Sequence, residues 1–478
     1  MKRREFFLAA CGSWFFANSC PAVGTSGLPA KQKVDVLIVG GGIAGFSAAY
    51  EAGLRFGSNV VVLEKGPMIG GRSVFAAGSF NAVDPERQKK FGIEDSVELM
   101  TEQVWEWGGK RANKKLVRVM AENSTDAVTW LENLGIRWLD RIFVPFGGAF
   151  PRAHTSNLIR GGYEYFSAIN RAVRKLNVKV LLNTEATELL VNSKGEIRGV
   201  SANRKGRKIL FETRAVVLAT GGFSANPEMV RRYSRLPVPS VHTTANPDGT
   251  HFDGATGDGI RMGMAVGADV VDMDCIEFMP IRGGRLLDYV GGDIFVNAEG
   301  RRFVNEGGTR SELTTAVARQ PGQFMWAITD DRSDKGDTLE NKLISGEVQQ
   351  AATVEEMASK MRVSPSVLKQ TLDRYNEFAR QGKDPDFGKT TFTQTINHPP
   401  YFFGKDRLDV HYTAGGLRIN ERAEVLNTNG QRIAGLWAAG ETTGGIHGED
   451  RMSGNGMLDD IVFGRIAGKN AAAFAAGS

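Results

Sequence analysis

Two β-branched apolar runs frame residues 34–65, VDVLIVGGGIAGFSAAYEAGLRFGSNVVVLEK, which read as a strand, a glycine turn, an alanine-rich helix and a second strand. Between Glu98 and Leu134 the apolar positions Leu99, Val104, Leu116, Met120, Trp130 and Leu131 take up helical spacing. Residues 178–219 then alternate like a strand meander, with a turn at Ser193-Lys194-Gly195. From about Cys275 the pattern changes. Residues 353–382 predict two helices, the first opened by a Thr353/Glu356 capping box and the second by Ser364-Pro365. A last helix is expected from Met457. The mixture predicts an α/β fold, and 478 residues exceed what a single core organises, so two domains are expected.

The glycine turn carries the first chemistry. Gly40, Gly42 and Gly45, with Ala44 between them, form GxGxxG at the end of a strand and the start of a helix. There a backbone without side chains can approach a pyrophosphate, and the helix N-terminus offers N–H donors and a positive dipole end. Glu64, followed by Lys65, ends the second strand at the distance expected for an acceptor of ribose hydroxyls. FAD fits better than NAD because the chain returns to the cofactor twice more. One return is AVVLATGGFSANPE from Ala215, with Thr220, Gly221 and Gly222; the other is GLWAAGETTGGIHGEDRMSGNGMLDDIVFGRIAG between Gly435 and Gly468. The glycines Gly444, Gly445, Gly454 and Gly456 let backbone press on a flavin ring, and the helix after them would turn its N-terminus toward that ring. These returns predict a Rossmann-like FAD-binding domain in two parts, residues 31–273 and 411–478, with an α+β cap (clamp) domain at 274–410 inserted between them. A cap over a flavin makes a closed, dry site.

Composition changes this picture little. Hydrophobic content of 41% and charged content of 24% are ordinary globular values, and a net charge of +5 calls for no nucleic-acid partner. Residues 1–30 stand apart. MKRREFFLAACGSWFFANSC resembles a twin-arginine export signal, with a plausible processing site after Leu28-Pro29-Ala30, and its removal leaves a net charge of +3. The mature chain then keeps Cys275 alone, which excludes an internal disulfide, and no CxxCH haem motif or zinc-type spacing is present, so no metal is expected. No later apolar run is long enough to span a bilayer.

Six blocks carry a resemblance to a known family: VGGGIAGFSAA, GGRSVFAAGSFNA, ATGDGIRMGMAVGA, NAEGRRFVNEGGTR, VHYTAGG and AAGETTGGIHGEDRMSGN. In this order they resemble the flavoprotein domain of soluble periplasmic fumarate reductases, the flavocytochrome c group, and their relatives that reduce urocanate and other unsaturated acids. The resemblance implies an FAD-dependent reductase of the C=C bond of an α,β-unsaturated carboxylate, working in anaerobic respiration. It implies Arg310 as proton donor, Arg451 as carboxylate clamp and His411 as a substrate-binding histidine, with Glu306 also near substrate. Further flavin contacts are expected at Gly71, Arg72, Ser73, Gly78, Asp258, Gly440, Glu441, His447 and Asn455. Guanidinium groups suit the chemistry, because enolate-like charge develops beside the carboxylate. Arg72 occupies the place where membrane-bound succinate dehydrogenases attach FAD through histidine, so noncovalent FAD is implied. Electrons must come from a periplasmic multihaem c-type cytochrome or a quinol-oxidising membrane partner.

Two departures bear on the substrate. Met279, in Ile276-Glu277-Phe278-Met279-Pro280, stands where a second carboxylate-binding histidine is found in fumarate reductases, and a thioether binds a carboxylate poorly. The stretch from Arg282 to Gly292 is shortened, leaving Asp288 as the candidate for the acid relay or for meeting a cationic substrate group. Urocanate or another arylacrylate or acrylate thus stands beside fumarate. Other readings are an FAD dehydrogenase of the tricarballylate or ketosteroid type, and a noncatalytic flavin electron carrier. An exported chain bearing Arg310 argues against both.

Overall fold

A computed structural model describes residues 30–477, apart from 146, 159–160, 239–240, 248, 281–285, 288–289 and 336–338. The expected export signal and Asp288 therefore lie outside the described residues. The largest core among the described residues is built on a six-stranded sheet in the order Glu424–Leu426, Arg432–Ala438, Val216–Leu218, Val36–Val39, Val60–Leu63 and Lys179–Leu181. All its pairings are parallel except the edge hairpin of the first two strands. Continuous runs such as VLIV and VVVL suit a sheet buried on both faces.

Helix Ile43–Phe56 follows the first of these strands, and helix Asn455–Ala476 lies against it. Their approach depends on missing side chains. A Cβ at Gly464 would meet the Ala44 carbonyl oxygen at 2.5 Å, and one at Gly468 would meet that of Ala48 at 2.3 Å. Mid-helix glycine costs about 0.5–1 kcal/mol against alanine, so these two glycines are retained for closeness rather than for helix formation.

The sequence between Glu98 and Leu134 gives three helices, Val97–Trp107, Lys114–Glu122 and Ser124–Asn133. The first break falls at Gly108-Gly109, where Gly109 has φ +64° and a Cβ on Gly108 would strike the His447 carbonyl oxygen at 2.2 Å. The meander is present as strands Thr184–Val191, Ile197–Arg204 and Arg207–Glu212, turning at Gly195, whose N–H donates to Asn192 O at 2.9 Å. Its flanking strands at 179–181 and 216–218 belong to the main sheet.

The second core is an antiparallel sheet in the order Ile294–Val296, Phe324–Asp330, Tyr401–Arg407 and Val348–Ala351. Strand alternation divides its side chains between two faces. Ile294, Val296, Trp326 and Ile328 pack against helices Val354–Met361 and Pro365–Gln381 through Met357, Leu368, Leu372 and Tyr375. Phe295, Met325 and Ala327 pack against Leu313 and Val317 of helix Arg310–Ala318. Thr353 caps the first helix by accepting from Glu356 N, but the Glu356 carboxylate reaches back to the Ala352 N–H, not that of Thr353. Strands Ile276–Met279 and Asp409–Thr413 pair antiparallel and carry the chain between the two cores.

Replacing Gly468 with valine is expected to force the two helices apart and cost about 1–3 kcal/mol. Thermal unfolding should show a lowered midpoint together with reduced flavin content per protein; an unchanged midpoint would contradict the close packing.

Candidate active site

The glycine turn has the form a dinucleotide requires. A Cβ at Gly40 would meet Ala219 O at 2.0 Å and one at Gly45 would meet Gly40 O at 2.1 Å, so both are packing glycines. Gly42 differs: its nearest neighbour would be Ser73 Oγ at 3.6 Å, with space beyond. Gly71 and Gly221 are similarly open, a Cβ meeting only Gly42 Cα at 3.7 Å and Ala255 Cβ at 4.0 Å. The three face a cradle that side chains would fill. Gly42 and Gly454, the residues preceding the first and last helices, make no side-chain cap, so both helix N-termini keep N–H groups to offer an anion. Ser73 Oγ accepts from Ile43 N at 3.1 Å, and Glu64 accepts from Gly41 N at 2.9 Å and Gly66 N at 2.6 Å, each carboxylate oxygen keeping a lone pair for a ribose hydroxyl.

The flavin end holds unsatisfied polar groups. Asn81 Nδ2 donates to Ser453 O and Asn455 Oδ1, both at 2.8 Å, which joins residues 81 and 455. Asn455 Nδ2 is buried with no hydrogen-bond partner, as are His447 Nδ1 and Asp459 Oδ1, while His447 Nε2 and Asp459 Oδ2 lie 3.2 Å apart. Buried donors and acceptors without partners are costly unless a bound group satisfies them. The residues present therefore fit FAD.

Several expected contacts also hold one another. Lys65 Nζ pairs with Asp258 and Thr256. Thr220 Oγ1 accepts from Gly259 N at 3.1 Å. Glu441 Oε1 accepts from Thr413 N at 2.9 Å and sits 2.6 Å from where a Gly222 Cβ would be. Gly440 packs on Ala44, and Gly78 packs on Gly161 while its carbonyl accepts from Tyr165 OH at 2.7 Å. Arg72 donates to Ser224 Oγ and to the His411 carbonyl oxygen, the latter at 3.0 Å.

The second half of the site lies where the Arg310-bearing helix meets the C-terminal loop. Arg310 is the first residue of its helix, and a complete capping box stands before it: Glu312 N donates to Thr309 Oγ1 at 3.3 Å, and Thr309 N to Glu312 Oε2 at 2.7 Å. Arg310 Nη1 pairs with Glu277 Oε1, and Arg451 Nη2 reaches the same oxygen at 3.4 Å. The three side chains are 3%, 4% and 9% exposed for Arg310, Glu277 and Arg451 respectively. Arg310 Nη2 also lies 3.5 Å from Ser453 Oγ and 3.9 Å from Asp450 Oδ1. The Arg451 guanidinium stacks 4.7 Å above the Tyr412 ring. Gly147, at φ +74°, leaves room for Arg310, since a Cβ there would stand 2.5 Å from Nη2.

Burial, and then the like charge of Arg451, pull the Arg310 guanidinium down to about 10 against the opposing charge of Asp450. The helix N-terminus acts in the same direction. Burial raises the Asp450 carboxyl above its ordinary value in spite of both arginines.

His411 Nδ1 is hydrogen-bonded with Thr244 Oγ1 at 2.9 Å, and Met279 is half-buried opposite Asp409 in the two-stranded ladder. Glu306 requires a correction. Its carboxylate is buried inside the cap, where it accepts from Phe295 N at 3.2 Å, from Arg302 Nε and Nη2 at 2.8 and 2.9 Å, and from Lys389 Nζ at 3.1 Å. With four donors on two oxygens it has nothing left for a substrate. Glu277 was not anticipated; its only signal was an acidic residue inside the apolar strand IEFM.

The FAD binding domain family matches this chain over residues 35–457. A probable fumarate reductase of Shewanella frigidimarina is 35% identical over 455 residues, covering 92% of this chain and 75% of that protein. A urocanate reductase of Eggerthella lenta is 34% identical, covering 92% and 75%. The structure of the open conformation of a flavocytochrome c3 fumarate reductase superposes with a TM-score of 0.81 at 33% identity, covering 93% of this chain and 79% of that one. The fold class expected from sequence holds.

Gly42→Val adds bulk only to the open cradle, at φ −80°, where valine is unstrained. The variant is expected to keep its circular dichroism spectrum and to lose FAD on purification, by at least about tenfold in affinity. Retention of full yellow colour would overturn the placement of the pyrophosphate.

Proposed function

Because this chain belongs to the FAD binding domain family and, within it, to the fumarate and urocanate reductase flavoproteins, we propose that it reduces the C=C bond of an α,β-unsaturated carboxylate with Arg310 as the proton donor. The protein is an FAD-dependent oxidoreductase. The observation that carries the reading is the meeting of two buried guanidinium groups, Arg310 and Arg451, at a single carboxylate oxygen. Reduced FAD, when bound, supplies the hydride to one alkene carbon. The chain's own residues do the rest. Arg451, stacked on Tyr412, holds the substrate carboxylate and stabilises the negative charge that develops there. Arg310 gives its proton to the other carbon.

An arginine ordinarily holds its proton too tightly for this step. Burial and the neighbouring Arg451 weaken that hold, the paired Glu277 and nearby Asp450 carboxylates oppose them, and the group stays charged at neutral pH. It is thus a cation for binding and an acid for turnover. Asp288 is the proposed source from which Arg310 regains its proton, and His411 the proposed second contact to substrate. Residues 274–410 act as the cap that excludes water. FAD is proposed to be noncovalent, since Arg72 offers no imidazole for attachment. The N-terminal segment is proposed to direct twin-arginine export to the periplasm, where an external multihaem cytochrome or quinol-oxidising partner supplies electrons for anaerobic respiration.

Under anaerobic conditions with reduced viologen as donor, the purified yellow protein is expected to reduce at least one of fumarate, urocanate, methacrylate, acrylate and cinnamate. Arg310→Ala should lose ~10²–10⁴-fold in kcat, and a variant as active as the parent would refute the assignment. The parent's rate should fall as pH rises through about 10, because the acid must carry its proton. Arg310→Lys should move that fall to lower pH, since burial depresses a lysine from a lower starting value. Replacing Arg3 and Arg4 with lysine should retain the protein in the cytoplasm, as read by fractionation of an otherwise exporting host.

A further inference from the structure

Glu277 occupies the position a substrate carboxylate needs. Its Oε1 is ion-paired with Arg310 Nη1 and lies 3.4 Å from Arg451 Nη2, the two guanidinium groups on which the proposed function depends, and Oε2 is buried with no hydrogen-bond partner. The strand places it there: the ladder between Ile276–Met279 and Asp409–Thr413 shifts register between Glu277 and Phe278, which sends Phe278 into the core and leaves Glu277 opposite Tyr412, beneath Arg451.

The four charges of these residues balance before any ligand arrives. Two guanidinium groups face the Glu277 and Asp450 carboxylates. One incoming carboxylate can take over the guanidinium groups that Glu277 engages. A second carboxylate on the same ligand finds no further cation among these residues and adds to the negative charge of Glu277 in a site that water screens poorly. Resting on the reading of the site as one for unsaturated acids, we propose that Glu277 is a specificity-determining residue that admits monoanionic acids and rejects dicarboxylates. Methionine at 279 in place of an imidazole works in the same direction, by removing a donor that a second carboxylate would use.

Crotonate and fumarate isolate the charge, since they share a carbon skeleton and differ by a methyl against a carboxylate. The parent is expected to show higher kcat/KM and tighter binding for crotonate. Glu277→Gln, which keeps shape and removes charge, should shift the fumarate-to-crotonate ratio toward fumarate by about tenfold or more, whereas Glu277→Asp should keep the parent's preference. Binding of both acids to the oxidised holoenzyme, read from the flavin absorbance spectrum, gives the same ratio without turnover. A parent that prefers fumarate, or a ratio moved less than twofold by Glu277→Gln in both measurements, would overturn the proposal. Loss of turnover with both acids, alongside the expected binding ratio, would count against the reductase reading while upholding the charge filter.

Discussion

The close crossing of helices Ile43–Phe56 and Asn455–Ala476 is the constraint on which this molecule depends. Each helix starts at a glycine that supplies no side-chain cap, so N–H groups beyond the first residue stay open, and the two termini come from opposite ends of the sequence. Only when Gly464 and Gly468 let the backbones approach do those termini share one cradle. The first strand–turn–helix is proposed to supply the dinucleotide end, and the last loop the ring end. Polar groups join across the two halves: Asn81 Nδ2 finds its acceptors on Ser453 and Asn455, beside the buried pair of His447 and Asp459. The cap can be an insertion because the chain on either side of it is held by this contact.

Electrostatics in the second half of the site follow from an economy of position. Arg310 begins a helix, where the dipole disfavours a cation, in a pocket that excludes water and already holds Arg451. Each of these would be a defect in a structural ion pair. Together they bring a guanidinium nearer to the range of a usable acid while its charge remains available for binding. The capping box at Thr309 and Glu312 keeps the helix intact despite the misplaced charge, and packing of Leu313 and Val317 on the cap sheet fixes its direction.

Much of the cofactor half was legible in the sequence because glycine patterns and strand–helix alternation are local. The break at Gly108-Gly109 was not, since its cause is the approach of the His447 carbonyl from more than three hundred residues away. Glu306 was misassigned for a related reason: it stands in a substrate-associated block, but Arg302, one helical turn earlier in number, and Lys389, beyond the cap helices, consume its carboxylate. Glu277 was overlooked because a single acidic residue in an apolar strand gives no periodic signal, and a register shift, invisible in sequence, decides which way it faces.

Arg72 shows how the two halves of the site are coupled. It leaves the flavin-side segment at Gly71 and donates to Ser224, in the first cofactor return, and to the carbonyl of His411, on the strand that enters from the cap. His411 is in turn hydrogen-bonded with Thr244, and the next residue, Tyr412, carries the Arg451 guanidinium. A shift of the cap strand would therefore move the histidine, the aromatic platform and the clamp together. The guanidinium at position 72 ties that strand to the cofactor segment through Ser224 and the His411 carbonyl, so that the two halves of the site are held by one ladder rather than by two independent loops.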